Sequence, residues 1–75
     1  MKITGTMSYI KVEIDEKVVK IEGEKIIGGF VAFKDTMKNW ESPHDDDVID
    51  DKLKQEIIDR VTNETKNSHL VITFE

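Results

Sequence analysis

A chain of 75 residues allows one domain and a modest core, with a net stability on the order of 3–5 kcal/mol. It contains no cysteine, which excludes a disulfide framework and a zinc–thiolate site and fits a reducing, cytoplasmic compartment. Sixteen acids against eleven bases give a net charge of −5, which works against binding nucleic-acid phosphates and favours a basic protein partner.

From Met1 to Met7 no apolar run is long enough for a signal segment, and the longest apolar run, Phe30-Val31-Ala32-Phe33, is too short to span a bilayer. No membrane association is therefore expected. Tyr9-Ile10-Lys11-Val12-Glu13-Ile14 alternates apolar and charged residues, which places Ile10, Val12 and Ile14 on one face of a strand. Asp15-Glu16-Lys17 breaks the pattern. Val18 to Glu22 resumes it with Val19 and Ile21 inward, so the two runs predict a β-hairpin whose second strand Gly23 ends. A third strand begins near Glu24-Lys25-Ile26-Ile27. Gly28-Gly29 then makes either a tight turn or a bulge before Phe30 to Phe33.

Lys34 to Trp40 reads either as one helical turn capped by Asp35 or as an extended segment over the sheet. Pro43 disfavours helix at Ser42 and sets a corner. From about Val48 to Lys66 the period becomes helical: Ile49, Leu53, Ile57, Val61 and Thr65 form a stripe that Ile58 widens. Asp45, Asp46, Asp47, Asp50 and Asp51 crowd the expected helix start, where carboxylates favour the helix dipole. Lys52 with Glu56 and Glu56 with Arg60 are spaced for ion pairs, and Asn67 suits a left-handed cap. His69 to Glu75 reads as a last strand, with Leu70, Ile72 and Phe74 on one face. The order predicts a single α+β domain over residues 1–75, an antiparallel sheet of hairpins backed by one amphipathic helix and closed by a C-terminal strand.

No motif carries catalysis. His44-Asp45-Asp46-Asp47 has donors for a hard cation but lacks the spacing and the glycine of a calcium loop, so neither a metal nor another cofactor is expected. His44 and His69 as an acid–base pair would still need a nucleophile or an orienting group. Tyr9, Phe30, Phe33, Trp40 and Phe74 could stack bases, but the basic groove such folds use is missing. The lone Trp40, at the corner between strand and helix, is either a core plug or a partly exposed anchor for a partner.

Gly29-Phe30-Val31-Ala32-Phe33, then Met37, then Trp40-Glu41-Ser42-Pro43-His44 resembles the immunity protein 74 family of bacterial polymorphic toxin systems. In that pattern a Gly-Phe strand leads through an apolar residue to Trp-Glu-Pro-Pro. A polar stretch, an amphipathic helix and a closing strand follow. Ile57, Ile58 and Val61 and the tail Leu70-Val71-Ile72 fall on its apolar positions, so the likeness runs from Gly29 to Glu75 and is weaker in the first hairpin. Ser42 departs from it, standing where the family has its first proline.

The resemblance implies a small non-catalytic cytoplasmic protein that binds and neutralises a cognate toxin domain. The partner surface is expected around Trp40, Glu41, His44, Asp45, Asp46 and Asp47, a preorganised corner with an acidic rim. The competing expectation is a structural module that self-associates as a homodimer through the edge of the C-terminal strand.

Overall fold

The computed structural model describes residues 1–75, and its centre is a curled sheet whose spatial order follows the chain. β1 (Lys2–Gly5), β2 (Tyr9–Ile14), β3 (Lys17–Ile26) and β4 (Gly29–Ala32) make an antiparallel meander. The chain then crosses through helix α1 (Asp51–Thr65) and returns as β5 (Val71–Phe74), parallel to β4. The class is α+β, as the change of period predicts. The sheet is not wholly antiparallel, because a strand reached through a helical crossover arrives in the direction of the one it left.

Register explains the core. Ile10 lies opposite Ile21 and Val12 opposite Val19, so the alternating branched residues of β2 and β3 share one face. Phe30, Ala32 and Ile72 continue that face, and α1 lays Ile57, Val61 and Thr65 upon it. The stripe predicted from the helical period is therefore the buried one, with Leu53 and Ile58 partly covered beside it.

Several boundaries differ from those read in the sequence. β3 runs unbroken through Gly23, which does not end it. A Cβ at Gly23 would stand 2.1 Å from the Val31 carbonyl oxygen and 2.6 Å from Phe30 Cε1, so the glycine is there to let β4 and the Phe30 ring lie close. The β2–β3 turn is Asp15-Glu16 alone, both at positive φ, which matches the right-handed twist of the flanking strands. Ile27-Gly28 makes a turn rather than a bulge, with Gly28 at φ 76 and Ile26 paired to Gly29.

β1 has no counterpart in the sequence reading, because Lys2-Ile3-Thr4-Gly5 carries one apolar residue and shows no alternation; only its register against Val12 and Ile10 reveals it. Lys34–Thr36 is a 3₁₀ turn that Asp35 does not cap. α1 begins at Asp51, not near Val48, and Asp50 caps it by accepting from Leu53 N–H at 2.8 Å, an arrangement worth about 1 kcal/mol. Asn67 is not a left-handed cap, since the helix ends on Lys66 in right-handed geometry. The pairs expected at Lys52, Glu56 and Arg60 do not form; Lys54 approaches Asp51 at 3.9 Å instead.

Thr65 joins helix to sheet. Its hydroxyl donates to the Val61 carbonyl at 2.9 Å and accepts from Ile72 N–H at 3.1 Å, and the residue is 7% exposed. In the parallel ladder Val71 and Glu75 give their N–H groups to β4, so Ile72 points its own toward the open edge of β5. Thr65 thus takes up one outward donor, the Ile72 N–H, of the edge through which self-association was expected. Thr65→Val keeps the shape but leaves Ile72 N–H unpaired in a buried place. It is expected to lower stability by about 1–3 kcal/mol. A urea midpoint unchanged from the parent would show that the bond contributes nothing.

Candidate functional site

The predicted site residues form one loop, and its base decides its character. Met37 and Trp40 face the core, and between β4 and α1 this segment lies along the part of β3 that β4 does not reach. Phe33 N–H bonds to Glu22 O at 2.7 Å, the Thr36 hydroxyl accepts from Glu22 N–H at 3.0 Å, and Glu41 N–H bonds to Val18 O at 2.7 Å. Those bonds take up the Val18 carbonyl and both backbone groups of Glu22 on the edge of β3 that β4 leaves open.

Trp40 is 6% exposed and belongs to the main apolar cluster. Of the two roles open to it in the sequence, the core plug is the one it takes. A hollow of about 240 Å³ lined by Ile14, Trp40, Leu53 and Ile57, with Lys17 and Arg60 at its rim, borders the indole. Lys17 Nζ lies 5.8 Å from the indole ring centre.

From Trp40 the chain makes an excursion to Asp47 and returns. The Asn39–Val48 bridge closes it, flanked by Ile49 N–H to Lys38 O at 2.8 Å and Trp40 N–H to Asp47 O at 3.4 Å. Inside it His44 N–H bonds to Glu41 O at 2.9 Å, Asp47 N–H to His44 O at 3.0 Å, and Asn39 Nδ2 donates to Asp45 O at 3.2 Å. Closing the excursion holds Val48 in an extended pair, 72% exposed as a residue, so the helix cannot begin there. Asp45, Asp46 and Asp47 consequently crown a closed loop and do not sit on a helix dipole.

The acids of the loop are not equivalent. Glu41 pairs with Lys11 at 3.0 Å and Asp47 with Lys17 at 3.2 Å. Asp45 and Asp46 are exposed and have no ion-pair partner, while His44 is half-buried beside them. The negative field of the loop tip therefore belongs to Asp45 and Asp46. Lys11 and Lys17 were not legible as parts of this site, since both lie on strands far from it in the chain and only the tertiary fold brings them to the loop.

No group of three or more His, Cys, Asp or Glu side chains is placed to hold a metal ion. No helix is long and apolar enough to cross a membrane. The model of one protein family, immunity protein 74, matches residues 2–75, and so extends over β1 and the first hairpin as well as the corner and helix. No curated protein and no solved structure matches the chain.

Proposed function

Because the chain belongs to the immunity protein 74 family, we propose that it is a non-catalytic immunity protein that binds and neutralises a cognate polymorphic-toxin domain in the bacterial cytoplasm. The observation that carries this reading is the family match over residues 2–75. The closed loop supports a location for the encounter: Glu41, His44, Asp45, Asp46 and Asp47 form the partner-facing surface, and Trp40 is the buried strut that holds it. A loop already closed by backbone bonds loses little entropy on binding, and its two unpaired carboxylates attract a cationic face such as that of a nuclease toxin.

Co-expression tests the reading. A gene beside this one is expected to encode a large protein with a variable C-terminal toxin domain. Producing that domain alone should arrest growth, and adding this chain should restore it through a complex that survives co-purification. A pair that neither binds nor rescues cells overturns the proposal.

A further inference from the structure

The sheet has two ends, and they are finished differently. β5 has Thr65 on its outer side, whereas β1 has β2 for its single neighbour and nothing beyond. Thr6 N–H bonds to Tyr9 O at 2.8 Å, which sets the phase of the β1–β2 ladder: Lys2, Thr4 and Thr6 bond toward β2. Ile3 and Gly5 then turn their N–H and C=O groups outward, and neither makes a hydrogen bond there. Alternate outward donors and acceptors are what an added strand requires.

Beside this edge lies a cavity of about 330 Å³, walled by Ile3, Met7, Ile10, Phe30, Leu70 and Ile72, so that both end strands border it. Met7 at its mouth is 75% exposed. Lys25 also lines the cavity, and none of the ion pairs in the molecule, which use Lys11, Lys17 and Lys54, engages it. An apolar hollow, an unpaired strand edge and a free ammonium group therefore meet in one place.

We propose that β1 captures an extended segment of the toxin, which adds to the sheet at Ile3 and Gly5, sets alternate apolar side chains into the cavity and brings a carboxylate to Lys25; the partner's identity rests on the function proposed above. A second copy of this chain fits less well. Its own β1, Lys2-Ile3-Thr4-Gly5, has no acid to offer Lys25, and its β5 edge is partly taken by Thr65. A hollow along the outer face, lined by Lys2, Thr4, Lys11 and Glu41 among others, connects β1 with the foot of the acidic loop, so one partner can reach both.

Amide hydrogen exchange on the full chain, free and bound to the toxin domain of the rescue experiment, reads the contact directly. Ile3 and Gly5 are expected to exchange at least tenfold more slowly in the complex. Ile3→Pro removes the outward donor but none of the bonds toward β2, a place where an edge strand tolerates proline. It should weaken toxin binding at least tenfold, whereas Ile3→Val should not, and Lys25→Glu should weaken it severalfold. A complex that forms with both amides exchanging at the free rate overturns strand capture and leaves the immunity function standing. Failure to form any complex removes both. Protection that appears in the free chain as its concentration rises would make a second copy the occupant and would also overturn the proposal.

Discussion

Trp40→Ala is expected to cost about 3–5 kcal/mol, the range for deleting a buried aromatic side chain without refilling its space. A chain of this size has roughly that much stability in total, so the variant should be largely unfolded at room temperature. The residue is 6% exposed, packs in the same cluster as Ile14 and Ile57, and is held by its neighbour's bond from Glu41 N–H to Val18 O. Far-UV circular dichroism and a urea titration would read the loss. Trp40→Phe, which keeps an aromatic ring in the site, should remain folded and still bind. A Trp40→Ala protein that melts like the parent but no longer binds toxin would mean that the indole is an exposed anchor after all.

Reversing Asp45 and Asp46 together, as Asp45→Lys with Asp46→Lys, should change association more than any other surface alteration. These are the carboxylates of the loop tip without ion-pair partners, and the double change takes the net charge from −5 to −1. Toxin association at low salt is expected to slow roughly 10- to 100-fold and to lose most of its salt dependence, with dissociation little altered. Stability should move by no more than about 0.5 kcal/mol, because both side chains are exposed and neither caps the helix. By contrast, Glu41→Ala and Asp47→Ala each break a surface pair worth about 0.2–1 kcal/mol and take little from the field at the tip. Stopped-flow association rates across a salt series decide the matter, and rates equal to those of the parent protein would exclude the loop tip as the steering surface.

The faces of the regular elements and the likeness to a family are legible in the amino-acid sequence alone. The alternation of Ile10, Val12 and Ile14 and the four-residue spacing of Ile57, Val61 and Thr65 are properties of a single strand and a single helix, so they can be read without knowing what covers them. The Trp-Glu-Ser-Pro corner and the helix after it carried the family, whose model then extended over residues 2–75.

Features that depend on distant partners follow from the packed fold. Asp45, Asp46 and Asp47 looked like the start of a helix because carboxylates before an amphipathic run do favour one. The bridge from Asn39 to Val48 instead closed them into a loop and left the cap to Asp50. Trp40 could fill a core or meet a partner on the strength of its chemistry; the uncovered part of β3 drew it inward, since that edge needed hydrogen bonds and the core needed its volume. β1 lacked any pattern of its own and exists through its pairing with β2. The two ends of the sheet likewise differ through a residue of the helix: Thr65 takes the Ile72 N–H of β5, and nothing equivalent reaches Ile3 on β1. Local periodicity fixes which side of an element is apolar, but occupancy of an edge, a hollow or a charge requires the neighbour to be in place.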